Sequence, residues 1–226
     1  MLRAVIFDFD GVITDSEVLH FRGFNEVLAQ YGLAITIEDY YENYLGLADL
    51  DLFDSLVEQG LLKIDRRQIK NLFEQKKCAF RKLAKTEGKI IDGVSGFLQM
   101  LRENDIPMAI CSGALLPEIE MILEGGRLRS FFEVIVSAEQ VKKGKPDPEG
   151  FLLTLKKLNE KTSRTIMPNE CIVVEDSHWG LEAARAAGMH SIAVTNSYDA
   201  DKLTAADKIV MKLNELNMDD LQKLCA

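Results

Sequence analysis

Two aspartates, Asp8 and Asp10, stand where the apolar run Ala4-Val5-Ile6-Phe7 stops, close to the start of the chain. Such a run predicts a buried strand of a parallel sheet, and residues i and i+2 of an extended segment point to the same side. Asp8 and Asp10 can therefore face one common point, and Gly11 lets the chain turn after them. Because neighbouring carboxylates repel and burial penalises both, the pair indicates a metal site or a reaction.

Polar side chains also follow the later apolar runs. From residue 88 onward strand and helix alternate, which predicts βαβ units and a parallel sheet with helices on both faces. Ligands bind at the carboxyl ends of the strands in such sheets, so the residues after each run form a candidate site. They are Ser112 and Gly113, Ser137, Glu175 and Asp176, with Lys145 in the basic loop 142–148.

The acids of this candidate site come without a His or Cys beside them: Asp8, Asp10, Glu175 and Asp176. Hard oxygen ligands of this kind suit Mg²⁺ rather than zinc. A Mg²⁺ site usually keeps waters and a substrate phosphate, and Ser112, the Gly113 amide and Lys145 are suitable phosphate donors. The combination predicts phosphoryl transfer, in which an aspartate can be the nucleophile.

Hydrophobic spacing predicts the elements that position these residues. The strands are Ala4–Phe7, Met108–Cys111, Phe132–Val136, Cys171–Val174, Ser191–Val194 and Ile209–Met211, and the helices between them are Gly93–Asn104, Leu115–Glu124, Pro148–Leu158, His178–Ala187 and Met218–Leu224. The first strand belongs to the same sheet as the others, although the segment from about 17 to 87, which has no strand-like run, lies between it and them. We therefore expect an α/β core interrupted by an insertion.

The insertion has helical periodicity throughout. Its apolar stripes are Val18, Phe21, Phe24, Val27 and Leu28, then Leu50, Phe53, Leu56 and Val57, then Ile69, Leu72, Phe73, Phe80 and Leu83. Gly32, Gly46 and Gly60 are predicted helix stops. The predicted organisation is a Rossmann-like core of three α/β/α layers formed by residues 1–16 and 88–226, with an all-helical cap domain at residues 17–87.

Composition excludes several classes of partner. The chain has 226 residues, 47% of them hydrophobic and 28% charged, as in an ordinary globular protein, and its net charge is −9. An acidic chain is not expected to bind nucleic acid or an anionic membrane. No apolar run is long enough for a membrane span and no signal peptide precedes the first strand, so a cytoplasmic location is expected. The scattered Cys78, Cys111, Cys171 and Cys225 are predicted to be reduced, buried thiols.

Four segments, in this order, resemble the motifs of the haloacid dehalogenase superfamily: Asp8-Phe9-Asp10-Gly11-Val12-Ile13-Thr14-Asp15-Ser16, Cys111-Ser112-Gly113, Lys145-Pro146-Asp147-Pro148 and Val173-Val174-Glu175-Asp176-Ser177. The resemblance spans the whole chain and is closest to the subgroup that contains phosphoglycolate phosphatase and β-phosphoglucomutase. Members of that subgroup carry a helical cap after the first motif. Dehalogenases of the superfamily lack the second aspartate of that motif, so Asp10 favours phosphate chemistry.

The resemblance implies catalytic roles. Asp8 would attack phosphorus to give an aspartyl phosphate, and Asp10 would protonate the leaving oxygen and later activate water. Ser112, with the Gly113 amide, and Lys145 would hold the phosphoryl group being transferred.

The resemblance also implies a Mg²⁺ site. Its ligands would be Asp8, the backbone carbonyl of Asp10, and Asp176. Glu175 would help, either as a direct ligand or as a residue that supports the ligands.

Ser16 and His20, beyond the first motif, are candidates for binding the substrate or its phosphate. Ser16 either caps the first helix of the insertion or contacts the substrate, and the two roles are compatible. His20 lies one helical turn further on and either faces the cleft or is a polar position on a surface helix.

The predicted function is a Mg²⁺-dependent phosphatase for a small phosphorylated metabolite such as phosphoglycolate or a sugar phosphate, working as a monomer or small homo-oligomer. The alternative is a phosphosugar mutase like β-phosphoglucomutase. Mutases of the family resemble one another in an arginine shortly after a cap glycine, whereas this chain has Gly46-Leu47-Ala48-Asp49, although Lys76 or Lys77 could supply a cation instead. A third hypothesis, a domain that only binds a phosphometabolite, is disfavoured by the intact Asp8 and Asp10.

Overall fold

A computed structural model describes residues 1–45, 47 and 49–225 of the chain. It divides into two compact units, one formed by Met1–Asp15 with Lys89–Ala226 and the other by Ser16–Gly88. The first unit contains a parallel sheet, and the second is helical.

The first unit is built on a six-stranded, all-parallel sheet in the order β3-β2-β1-β4-β5-β6. The strands are β1 Ala4–Phe7, β2 Met108–Cys111, β3 Phe132–Val136, β4 Cys171–Glu175, β5 His190–Val194 and β6 Lys208–Val210. The predicted positions of the strands are confirmed. The last strand is one residue earlier than predicted, because Val210 is buried while Met211 faces solvent.

Strand β1 is the centre of this sheet. It pairs with β2 on one side and with β4 on the other, and all four of its side chains are buried. A strand covered on both faces needs apolar residues at every position, which explains the uninterrupted run that marks it in the sequence. The strand order reverses between β1 and β4, and ligands bind beside such a reversal in open α/β sheets.

Helices cover both faces of the sheet, as predicted. Those of the first unit are α5 Val94–Glu103, α6 Leu116–Gly125, α7 Glu149–Thr162, α8 His178–Ala186 and α9 Met218–Leu224. Ala4 and Ile6 of β1 share a buried cluster with residues of α7 and α8. On the opposite face, the ring of Phe7 meets the edge of Phe97 in α5, with centroids 6.0 Å apart. The core is therefore a three-layer α/β/α sandwich of the Rossmann-like class.

The second unit consists of α1 Glu17–Leu28, α2 Ile37–Asp39, which continues as a π-helical turn at Tyr40–Tyr44, α3 Asp49–Glu58 and α4 Arg66–Glu87. Asp65 begins α4 with a capping box completed by Gln68. Gly32 and Gly60 adopt the left-handed conformation after helical segments, as expected of helix stops. The predicted stop at Gly46 lies outside the described residues.

Two of the predicted stripes in this unit are partly wrong. Leu50 is 39% exposed, and the neighbouring Leu52 is buried in its place. In α1 the buried side chain is Leu19 rather than Val18. The helices of this unit share one apolar cluster. The buried face of each helix is therefore set by its neighbours, and it differs from the face that spacing alone predicts.

The cysteine prediction is only partly correct. Cys111, Cys171 and Cys225 are buried and free, whereas Cys78 is free but exposed. Within the described ranges, no helix has the length and apolar character that crossing a membrane requires.

Candidate active site

The carboxyl ends of β1 and β4 bring three predicted site residues together. Asp8 follows β1, and its backbone N–H donates to the carbonyl of Val174 in β4 at 2.9 Å. Among the described residues, Asp8, Glu175 and Asp176 each offer one carboxylate oxygen to a group in which these oxygens lie within 4.8 Å of one another, and all three residues are buried. Acids from motifs that are far apart in the sequence thus form one compact acidic group in the fold.

Lys145 supplies positive charge to this group. Its Nζ donates to Asp8 Oδ1 and, at 2.5 Å, to Glu175 Oε1, and it lies 5.2 Å from the centroid of the Phe151 ring. Burial by itself would lower the pKa of Lys145, but Asp8 and Glu175 outweigh burial and hold that pKa above its ordinary value. The ammonium group is therefore charged throughout the physiological range.

Glu175 has both oxygens engaged. Oε1 accepts from Lys145, while Oε2 accepts from the N–H groups of Asp176 and Ser177 at 3.0 and 3.1 Å and from Ser177 Oγ at 2.9 Å. Gly180, in the first turn of α8, lies directly against this carboxylate. Glu175 thereby ties Lys145 to the loop that carries Asp176.

This contact makes Gly180 sensitive to substitution. A Cβ at Gly180 would lie 1.8 Å from Glu175 Oε1, and Glu175 is fully buried, with both carboxylate oxygens held by hydrogen bonds. We expect Gly180→Ala to destabilise the fold by about 3 kcal/mol in chemical denaturation. The matched control is Gly96→Ala in α5, where an added Cβ would meet nothing within 4 Å and should stabilise the helix by about 0.5 kcal/mol. Equal effects of the two substitutions would contradict this packing.

The acidic group fits a hard divalent cation. Burial, opposed by Lys145 and reinforced by Glu175 and Asp10, raises the pKa of Asp8 to about 7. Burial, together with Glu175 and Asp8, raises the pKa of Asp176 well above its ordinary value. Three buried carboxylates face one ammonium group, so negative charge is in excess, and every donor atom of the group is a carboxylate oxygen. A Mg²⁺ ion matches both the charge and the ligand type.

Asp10 occupies a tight turn next to Asp8. Gly11 has φ of +73°, a conformation that favours glycine, and its N–H donates to the carbonyl of Thr14 at 2.8 Å. Asp10 is half-buried, and its charge contributes to the raised pKa of Asp8. The Asp10 carboxylate is thus near Asp8. The backbone of Asp10 lies in the turn at the same edge of the sheet.

The second motif lies at the end of β2, beside β1. Ser112 is buried, and its Oγ accepts from the N–H of Ala114 at 2.9 Å, while the exposed Gly113 has open space on the side where a Cβ would stand. Glu139 supports this loop, since its Oε2 accepts from Ser137 Oγ at 2.7 Å and from the N–H of Leu116 at 3.0 Å. The sequence reasoning noted Ser137 but missed Glu139.

The loop after β5 also reaches the site and was missed. Asn196 Nδ2 donates to the carbonyl of Gly11 at 2.6 Å, and the hydroxyl of Ser197 lies beside the Asp176 carboxylate, where it opposes the rise of the Asp176 pKa. The rule that found the other residues, polar side chains directly after an apolar strand, applies equally to Asn196 and Ser197.

Ser16 and His20 belong to the helical unit. Ser16 occupies the N-cap position of α1, as predicted, and is buried there, but its side chain makes no capping hydrogen bond. His20 is stacked on Phe80, with ring centroids 4.0 Å apart, and its Nδ1 lies 2.6 Å from Nζ of Lys76. Burial and the Lys76 charge lower the pKa of His20 well below its usual value, so the ring is neutral. Substrate binding by Ser16 and His20 stays a prediction.

Comparison with known proteins gives a consistent result. The family model described as haloacid dehalogenase-like hydrolase matches residues 5–194. The chain is 34% identical over 192 residues to a phosphorylated carbohydrates phosphatase of Thermotoga maritima, covering 84% of each protein. It is 30% identical over 193 residues to a fructose-1-phosphate phosphatase of Escherichia coli, covering 84% of this chain and 95% of that one.

A solved structure supports the same grouping. The fold matches a β-phosphoglucomutase from Clostridium difficile with a TM-score of 0.83 and 25% identity, over 100% of this chain and 97% of that one. The likeness therefore includes the helical insertion as well as the sheet. With the predicted resemblance confirmed, this chain belongs to the haloacid dehalogenase-like hydrolases.

Proposed function

We propose that this phosphoric monoester hydrolase acts on a small phosphorylated metabolite, a sugar phosphate or phosphoglycolate, through an aspartyl phosphate formed at Asp8. The proposal depends chiefly on one observation, the placement of a buried carboxylate at the end of the central strand with the Lys145 ammonium on one of its oxygens. The relatives from Thermotoga maritima and Escherichia coli are named as phosphatases of phosphorylated carbohydrates and of fructose 1-phosphate, which supports the choice of substrate class.

In this mechanism Asp8 attacks the phosphorus atom, and the substrate's alcohol oxygen departs. Asp10 gives that oxygen a proton and then takes one from the water that attacks the aspartyl phosphate, which releases phosphate and regenerates Asp8. Lys145 and the Ser112 loop hold the phosphoryl oxygens in place. Catalysis is then mainly positioning and neutralisation of charge.

Asp8, Asp176 and the backbone carbonyl of Asp10 would hold Mg²⁺. The ion supplies positive charge that offsets the carboxylates and the phosphate. We assign Glu175 a supporting role, because its two oxygens already accept hydrogen bonds from Lys145 and from its own loop.

Removal of the metal should abolish most of the activity. A chelator in excess should lower phosphate release by about 10²-fold or more, because the buried acids would then repel the phosphate dianion. Adding Mg²⁺ back should restore the rate, whereas NaCl at matched ionic strength should not. Phosphate release that continues unchanged in the chelator would contradict the metal requirement.

The mutase alternative is supported by the similarity to a β-phosphoglucomutase. A mutase of this kind needs a cation in the cap for a second phosphate. Lys76 is 1% exposed and its Nζ is bound to Asp49 Oδ1 at 2.6 Å, and Lys77 is paired with Glu74 at 2.7 Å. Both lysines are thus engaged within the helical unit, which favours the phosphatase.

Product analysis on a panel of sugar phosphates and phosphoglycolate separates the hypotheses. A phosphatase releases inorganic phosphate in step with substrate loss, and this is the expected result. An isomerised phosphosugar without free phosphate would establish the mutase instead. Binding without turnover on every substrate would refute an enzymatic role.

Within this proposal residues 17–87 form the cap that selects the substrate. Ser16 and His20 contact the substrate, and the enzyme works in the cytoplasm.

A further inference from the structure

The loop that follows β5 joins the site at a place that none of the four motifs occupies. Its first residue, Thr195, is anchored by an N–H bond to the carbonyl of Val210 in β6 at 3.1 Å. The next residue, Asn196, donates from Nδ2 to the carbonyl of Gly11 at 2.6 Å. The turn that follows Asp10 is therefore hydrogen-bonded to the loop between β5 and β6.

Ser197, the next residue, lies where this turn meets Asp176. A Cβ on Gly11 would come within 1.8 Å of Asp176 Oδ2 and within 2.8 Å of Ser197 Oγ, so both groups pack against the bare backbone of Gly11. The Ser197 hydroxyl therefore lies beside the Asp176 carboxylate, and its interaction with that carboxylate opposes the rise of the Asp176 pKa. Backbone, hydroxyl and carboxylate thus form one close contact.

We propose that Ser197 is a positioning residue, whose hydroxyl orients the Asp176 carboxylate toward the divalent cation while Asn196 holds the Gly11 turn beside it. The inference rests on the proposed function, in which Asp176 is a cation ligand. The physical need is clear from the charges, because Asp176 lies within 4.8 Å of two other buried carboxylates that repel it. A hydroxyl donor stabilises the ionised carboxylate and restricts its rotation.

Partners of metal ligands usually change metal affinity by about 10–100-fold when they are removed. We therefore expect Ser197→Ala to weaken Mg²⁺ binding by about 10-fold, measured by calorimetric titration of the full chain with MgCl₂ in the absence of substrate. Ser197→Thr keeps a hydroxyl at this position and should bind within about threefold of the parent chain. Ser95→Ala, at an exposed position in α5, is the matched control and should leave the affinity unchanged.

The outcomes distinguish this inference from the function on which it rests. If the parent chain binds no Mg²⁺, the proposed metal site is wrong, and the inference with it. If the parent binds Mg²⁺ and Ser197→Ala binds equally well, only the positioning role is overturned. Should Ser197→Ala fail to fold, as judged by thermal unfolding, Ser197→Cys serves instead. It replaces the hydroxyl by a weaker donor of similar size and should also weaken Mg²⁺ binding. Full affinity in that variant would overturn the proposal.

Discussion

Replacing Asp8 by Asn should lower the rate of phosphate release by about 10⁴-fold or more, while the protein remains folded. The amide keeps the size and shape of the side chain but is a poor nucleophile for phosphorus. Steady-state assays on the best substrate of the panel measure the loss. Asp201→Asn, a substitution of the same kind at an exposed position of the sheet-containing unit, is the control and should retain full activity.

The same substitution should make the fold more stable at alkaline pH. Burial raises the pKa of Asp8 from 3.8 to about 7, so between these values the native state holds a proton that the unfolded chain has lost. This group's contribution to stability is present below about pH 4 and is lost as the pH rises through about 7. Asn has no such proton, so in a chelating buffer the variant should unfold at a higher temperature than the parent above pH 7. A lower unfolding temperature of the variant above pH 7 would contradict the claim that burial makes the ionised Asp8 carboxylate unfavourable.

Lys145→Met should have the second largest effect. Methionine fills similar space but leaves the carboxylates of Asp8 and Glu175 without the ammonium group that both contact. Removing one partner of a buried ion pair costs about 3–5 kcal/mol, and loss of a phosphate donor costs about 10²–10³ in rate. Denaturant unfolding and phosphate release measure the two effects.

The pH dependence of this variant has a defined sign. Without Lys145, which lowers the pKa of Asp8, that pKa rises further above its unfolded value. The loss of stability should therefore be small at pH 5 and large at pH 8 in a chelating buffer. Lys143→Met, in the same loop but with its side chain 73% exposed, should change neither stability nor rate appreciably. A loss that is the same at both pH values would contradict the electrostatic explanation.

The strands of the sheet could be predicted because each one is marked by a pattern of neighbouring residues. Four consecutive apolar residues mark β1, and the polar residues that follow each run mark the edge where ligands bind. The helical unit was harder to predict. Leu50 and Val18 lie on plausible stripes, but the orientation of each helix depends on neighbours that the spacing within one helix does not describe. The short helix at Ile37–Asp39 was missed although Thr36 caps it by accepting from the N–H of Asp39 at 3.1 Å.

Within the site, residue types were predictable but partners were not. Asp8 and Asp176 could be predicted as candidates because they follow apolar runs, and Lys145 because it lies in the basic loop between Gly144 and Pro146. Asn196 and Gly11 are separated by 185 residues, and nothing in either segment indicates their hydrogen bond. The engagement of both Glu175 oxygens is likewise a product of the fold, since Gly180 must lack a side chain for that carboxylate to fit.

The central claim, that Asp8 becomes phosphorylated during turnover, can be tested directly by mass spectrometry of the enzyme. The chain would be mixed with its best substrate and Mg²⁺, quenched in acid within the first turnover and digested. The peptide that contains Asp8 should carry the mass of one phosphoryl group, and the corresponding peptide of Asp8→Asn should not. Turnover with this peptide unmodified and the phosphoryl group on a different residue would contradict the mechanism.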